Sequence, residues 1–456
     1  MEFRNLTPFD VMCLSALDLQ HEEHPVVAMK VGYRLQPIAD SPGRFSAVVM
    51  DRSPLPLCRA DLYWGEEGLS SVREESDLAP FKPRCDVIIN GHAHAPGGNP
   101  TEFWEAGVRL SAPAPRLVLN VEPPKPWRPG APLTQEQLYA WRDAKQDAEH
   151  RMATAPTRQV FLDKHLRFSG PRRFERGFFG WSITDPEPAL TVPLRWEYAF
   201  GGSSLIYPPS EQEHSTENHP ALNEVCYSNP LGRGWLHDHH IRTARNVGEV
   251  VKQLPAPQIE AIDSQITEPY FCERRDGDVT AGEMRNAADS YPVQPAGFGV
   301  VGRPWAPRLA LAGTYDNTWL QERSPGLPED FDFAYWNGAP VDQQIDFPPP
   351  DLRIELFNLV DPRLSSNGRI CVELPGHRPF ILLRLRNGVM LPLPFLTDTL
   401  LIDTDAMTLS LTHRVSLPKA LDLRVLEARF EVDPNAPLLK RKSRNPGQKT
   451  GGTRHG

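Results

Sequence analysis

Residues 26–35 read VVAMKVGYRL. Val27, Met29, Val31, Tyr33 and Leu35 fall at every second position, and Lys30 and Arg34 fall between them. Alternation of period two puts the two sets of side chains on opposite faces of an extended chain. The stretch therefore predicts a half-buried strand, with one face on a core and the other in water. Similar patterns lie on either side. Arg44 to Met50 is a second candidate strand, and Cys85 to Asn90 is a short apolar run stopped by Gly91 and a turn around Pro96, Gly97 and Gly98. Phe103–Leu110 and Arg116–Val121 read as a further pair, so residues 1–122 form an N-terminal β lobe.

The character then changes. Thr134 with Gln137 three residues on matches a capping box. Leu138, Trp141, Lys145, Ala148 and Met152 follow at helical spacing, which predicts a helix of about five turns. Prolines bracket it, so 123–157 reads as a helical insertion. Strands resume at Val160–Leu162 and Leu190–Phe200. The span 203–296 is polar and irregular, with short helices expected at Val247–Gln253 and Ala281–Ala288.

From Leu352 the β pattern dominates, with strands expected at Leu352–Leu359, Arg369–Leu374, Phe380–Arg386, Leu400–Asp403, Met407–Arg414 and Leu421–Val432. In the last, Leu421, Leu423 and Val425 are apolar on odd positions, and Leu426, Ala428, Phe430 and Val432 on even ones. A one-residue slip exchanges the faces of a strand, so a β-bulge is expected near Val425. The fold class is mainly β: antiparallel sandwich or sheet lobes with long ordered loops and a small helical insertion. The central region 158–345 is rich in loops, 346–433 is a C-terminal β region, and 434–456 is a basic, disordered tail.

Totals support this reading. Pro accounts for 48 of 456 residues and Gly for 32, which excludes an all-helical architecture. The net charge is −9, yet the tail alone carries Lys440, Arg441, Lys442, Arg444, Lys449 and Arg454 and no acid. Without those six charges, residues 1–433 stand at −15. An acidic body argues against nucleic-acid binding, which relies on clustered Lys and Arg. Six scattered cysteines without a C-x-x-C pair are not a zinc or disulfide framework. The opening MEFRNLTPFD has acids and no apolar signal core, and no run approaches a membrane span. The expected location is the cytoplasm, with no membrane partner.

Residues 295–344 read PAGFGVVGRPWAPRLALAGTYDNTWLQERSPGLPEDFDFAYWNGAPVDQQ. Pro and Gly rule out a long regular element, while the rings gain by leaving water, so a long ordered loop stapled by aromatics is expected. Trp305, Arg308, Tyr315, Asp316, Trp319, Phe331, Asp332, Trp336 and Asn337 are the candidate protein-binding residues. The tryptophans admit two readings, a satellite core beneath a loop or exposed anchors. Arg308 and Asp316 are expected to pair.

No reaction chemistry converges. Gly297, Gly299 and Gly302 match G-x-G-x-x-G, but Pro304 and Pro307 follow where a phosphate-binding helix must begin, so no cofactor is expected. His92 and His94 place two imidazoles on one strand face. A metal-dependent hydrolase would need further ligands, for which His237, Asp238, His239 and His240 are candidates. Asp330 and Asp332 read as an acid/base pair or as turn caps. Neither a G-x-S-x-G elbow nor a P-loop occurs. Catalytic residues: none expected; metal: none expected.

The ordered blocks SDLAPFKPRCDVIINGHAHAPGG, WEYAFGG, NPLGRGW, PAGFG, Trp305-Ala306-Pro307-Arg308, GTYDNTW, PEDFDFAYWNGAPVDQQ and DTLLIDTD resemble the domain-of-unknown-function family 2169, associated with bacterial type VI secretion. The resemblance spans roughly residues 10 to 415. It implies a cytoplasmic adaptor or chaperone that binds a toxic effector and helps load it onto the VgrG/PAAR spike. A structural spike-associated component is an alternative. The chain departs from the family pattern at Tyr198, where Arg is more usual, at His94, and in the length of the arm at 123–156.

Overall fold

In the computed structural model, the strand centred on residues 26–35 extends from Glu23 to Pro37. The structure describes residues 1–114, 120–126, 132–154, 157–206, 222–234, 244, 248, 250–267, 293–418 and 421–439. Along one edge, Glu23–Pro37 pairs antiparallel with Asp10–Leu17 and then with Arg44–Val49; along the other it pairs with Thr408–Ser416. These strands are part of a twelve-stranded sheet. Most of its pairings are antiparallel. Two are parallel, Arg369–Glu373 with Arg44–Val49 and Leu396–Asp403 with Cys85–Asn90. Strands drawn from 1–122 and from 346–433 alternate within this one sheet.

A second sheet of four strands runs Glu2–Asn5, Leu423–Glu431, Arg378–Leu385, Met390–Pro394. Its Ile381, Leu383, Leu426 and Ala428 share one core with Met29, Val31, Val87, Ile89, Leu400 and Ile402 of the large sheet. Burial of this apolar surface between sheets is the main force holding the fold. The expected bulge is present: Arg384 faces Val425 and Leu385 faces Leu423, which leaves Arg424 as the extra residue. Met390–Pro394 lay outside the sequence expectation because it contains Pro392 and Pro394. It pairs only with Arg378–Leu385 and forms the sheet edge, where the missing N–H costs no ladder bond.

The half-buried reading of the central strand holds at Arg34, which is exposed, and is corrected at Lys30. Lys30 is as inaccessible as its apolar neighbours, at 3% exposure. Its Nζ donates to Asp77 Oδ2 at 2.7 Å and contacts Glu74, while Asp77 Oδ1 accepts from Thr412 Oγ1 at 2.8 Å. Burial disfavours the charge, but Asp77 and Glu74 outweigh it and raise the Lys30 pKa. At Lys30 the polar face of the strand thus meets matched charges on the overlying chain, while at Arg34 it meets water.

Elsewhere the outcome is mixed. The capping box forms, with Thr134 N donating to Gln137 Oε1 at 3.0 Å and Gln137 N to Thr134 Oγ1 at 3.1 Å, and the helix spans Gln135–Thr154. Leu190–Phe200 is not continuous: a strand at Thr191–Pro193 gives way to a 3-10 turn at Trp196–Tyr198, because Pro193 interrupts the backbone donors. Instead of a helix ending at Gln253, that residue opens the strand Gln253–Pro255. Asn120 and Val121 carry no strand, while 115–119 and the expected helix Ala281–Ala288 lie outside the described residues, as do 440–456 of the tail.

Candidate interaction surface

The loop system 295–344 is ordered in short helical turns, among them Ala306–Leu309, Asn317–Glu322 and Phe333–Trp336. What fastens it is a buried carboxylate. Asp86, fully inaccessible on strand Cys85–Asn90, accepts from Asn337 Nδ2 at 3.0 Å, Gly338 N at 2.9 Å, Ala339 N at 3.1 Å and Lys82 Nζ at 2.8 Å. Burial opposes the Lys82 charge, but Asp86 and further acids prevail and raise its pKa. Gln343, also fully buried, donates to the carbonyls of Val87 and Phe298 and accepts from Lys164 Nζ at 2.7 Å. Burial lowers the Lys164 pKa although Asp342 lies beside it.

The nine candidate residues fall into two groups. Trp305, Arg308, Phe331 and Asn337 are buried. Arg308 does not pair with Asp316. Its Nη1 donates to Glu75 Oε1 and to Val301 O at 2.6 Å each, and its Nη2 to Tyr335 O at 2.7 Å. Asp316 instead caps Asn317–Glu322 by accepting from Trp319 N at 2.8 Å, which a short polar side chain before a helical turn does readily. Asp332 caps the next turn through Ala334 N at 2.8 Å, and Asp330 accepts from Thr314 N and Oγ1. Asp332 is therefore a turn cap, while Asp330 ties its turn to Thr314 across the loop. Trp336 is half-buried beneath Arg303, and Trp319, edge-on to Tyr315, donates Nε1 to Gly326 O at 2.9 Å. Tyr315 is exposed.

Two glycines of the triplet, Gly297 and Gly302, have a packing role. A Cβ on Gly297 would stand 3.1 Å from the Trp196 ring, and one on Gly302 would stand 2.9 Å from Trp305 Nε1. Trp196 and Trp305 meet edge to face at 5.2 Å. Other resemblance blocks also join inside the molecule: buried Asn229 of NPLGRGW donates to the carbonyls of Trp196 and Phe200 of WEYAFGG, and Arg233 lies 4.3 Å over the ring of Tyr198.

Beside these joints lies a cleft of about 1330 Å³. Leu166, Trp196, Val301, Trp305 and Leu311 line it, and Lys164, Arg308, Asp163, Asp263 and Asp342 supply its charge. Two of the apolar residues around it face outward, Ile262 and Val341.

A second exposed apolar feature was missed from the sequence. Arg173–Gly177 and Gly180–Ile183 form a hairpin whose connection is Phe178-Phe179, with Gly177 opposite Gly180. Phe178 is 96% exposed and Phe179 100%, their rings edge to face at 5.2 Å. Phe174 at the base of the hairpin is buried in a satellite core. The legible signal is G-F-F-G between two short alternating runs, a two-residue hairpin connection filled with rings where polar residues are usual.

His92 and His94 do share a strand face, with ring centroids 6.4 Å apart. His92 Nδ1 lies 2.9 Å from Asp405 Oδ2, and this bond to His92 lowers the Asp405 pKa. Burial lowers that of His94. Among the described residues, no group of three or more His, Cys, Asp or Glu side chains is arranged to hold a metal; His237, Asp238, His239 and His240 lie outside the described residues. Nor is any described helix long and apolar enough to cross a membrane.

This is a mainly β protein whose sequence blocks serve as internal fasteners for an aromatic loop system. The chain belongs to the family described as "Uncharacterized protein conserved in bacteria (DUF2169)", whose model matches residues 20–140 and 139–414. No curated protein and no solved structure matches the chain.

Proposed function

We propose that the protein is a non-enzymatic cytoplasmic adaptor that binds a type VI secretion effector and helps deliver it to a VgrG- or PAAR-type spike protein. The observation that carries this reading is the pair of rings at Phe178 and Phe179, fully presented to solvent on a hairpin whose base is packed. Large exposed apolar groups on an ordered support favour contact with another polypeptide, because removing such rings from water is a main source of interface energy. The cleft beside Trp305, with Ile262 and Val341 facing outward, gives a second contact area for an extended segment. The candidate residues Trp305, Arg308, Phe331 and Asn337 then act from within, by holding the loop in place. Tyr315, exposed beside Trp319, remains as a direct contact. The acidic body steers basic partners by long-range attraction.

Co-expression with a candidate type VI effector toxin is the test. A stable co-purifying complex that is lost on Phe178→Asp with Phe179→Asp supports the adaptor. A folded protein that never retains that toxin overturns it.

A further inference from the structure

Between the two sheets lies a cavity of about 450 Å³, apart from the interaction surface. Pockets of this size that are apolar apart from a few placed polar groups are the usual form of a small-molecule site. Leu352 and Leu400, neither exposed at all, mark its inner end, while Leu396 and Arg378 are partly exposed and mark the mouth. Leu438, from the segment after the last strand, also borders it.

Charge in the wall is one-sided. Arg378 is the one formally charged residue among the described lining groups, and no Asp or Glu lines the cavity. Its Nη2 donates only to carbonyls, those of Asp433 at 2.8 Å and Ala436, and its buried Nε has no partner among the described residues. The remaining polar groups are two neutral pairs. Tyr33 Oη lies 3.2 Å from His377 Nδ1, and Thr397 Oγ1 lies 3.1 Å from His413 Nδ1. Burial pushes His413 down to about 3 and lowers His377 too, so neither ring adds charge at neutral pH. His413 Nε2 is buried without a partner among the described residues. A guanidinium bonded only to neutral oxygens on an apolar cavity attracts an anion, and its planar donors suit a carboxylate. A phosphate monoester would bring about two charges to this single cation.

We propose that the cavity binds a small monocarboxylic acid with an apolar chain, the carboxylate at Arg378 and the chain running inward to Leu352 and Leu400. The site is independent of the adaptor reading.

Calorimetric titration of the full chain with hexanoate, decanoate and 1-decanol, below micellar concentrations, tests it. At least one acid should bind saturably and raise the melting temperature, with 1-decanol about tenfold weaker or more, the factor equivalent to one charge-assisted hydrogen bond. Arg378→Leu should abolish the preference for acid over alcohol. Leu438→Trp, which adds bulk to the cavity wall and keeps the guanidinium, should weaken both, and it serves should Arg378→Leu fail to fold. Absence of binding by both acids overturns the proposal. So does equal binding of acid and alcohol to the native chain, or acid binding unchanged by Leu438→Trp.

Discussion

Trp305 and Phe331, in the loop 295–344, are 3% and 6% exposed; Phe178 and Phe179, on the hairpin, are 96% and 100% exposed. Both regions are rich in rings, but they are supported in opposite ways. The loop is laced to the sheet by Asp86, Gln343 and Arg308, and its rings fill space between chain segments. The hairpin buries Phe174 at its base and presents the rings of its tip to solvent, with no atom within 4 Å of the Gly180 Cβ position among the described residues. Aromatic content by itself thus says nothing about which region meets a partner. What separates them is whether buried polar groups of the main sheet reach into the segment.

The largest effect is expected where that lacing is cut. Asp86→Ala leaves the Lys82 ammonium buried and three loop donors without their acceptor, so a loss of about 3–5 kcal/mol is expected. Trp305→Ala should cost a similar 3–5 kcal/mol, roughly, through the cavity it leaves. Denaturant unfolding measures both. If Asp86→Ala unfolds at the native midpoint, the loop is not held as described.

Next comes acidification. His413 is held neutral by burial, with its pKa lowered to about 3 from an ordinary value of 6.5. The unfolded chain takes up this proton at higher pH than the folded one, so the contribution to stability is complete above about 6.5 and is lost progressively as the pH falls toward 3. The total is on the order of a few kcal/mol, shared with titrating carboxylates. His413→Gln should flatten the slope of stability against pH between about 6.5 and 4. An unchanged slope places the acid sensitivity in the carboxylates alone.

The tip should behave in the reverse manner to the loop. Phe178→Asp with Phe179→Asp should leave stability within about 0.5 kcal/mol, since no described neighbour loses a contact. Binding of an effector, should one be retained as proposed, is expected to fall by about 2 kcal/mol or more, as for an interface hot spot. A large loss of stability would move these rings into the structural class.

How much of this was legible is clearest at individual residues. The Thr134–Gln137 cap and the bulge at Arg424 follow from rules that act over a few residues, so a sequence carries them openly. Lys30 does not: a charge at an alternating strand position signals a polar face, but not that Asp77 and Glu74 arrive from more than forty residues away to cover it. Asp86 was hidden for the same reason, inside a run that reads as plainly apolar. The alternation of strands from 1–122 with those from 346–433 was equally out of reach, because period-two patterning tells which face is buried and not which strand lies alongside. Of the candidate residues, Asp316 was misread as the partner of Arg308 because opposite charges eight positions apart invite pairing, when Asp316 caps its own turn and Arg308 is taken by Glu75 from a distant part of the chain.

The smallest predicted effect tests the border between the two regions. Tyr315 is exposed like the hairpin tip, yet it sits inside the laced loop, on the turn that Asp316 caps. Asp316→Ala removes the bond to Trp319 N, and loss of an N-cap costs about 1 kcal/mol. That cost should stay local. Amides of 317–323 should exchange faster while the global melt barely moves, because Trp319 Nε1 and the Asp86 anchor are untouched. If toxin binding weakens in step with this local loosening, the Tyr315–Trp319 face is part of the contact and the loop presents as well as packs. If binding is unchanged while exchange quickens, the contact surface ends short of the turn, and the hairpin and the cleft carry it without the loop's outer face.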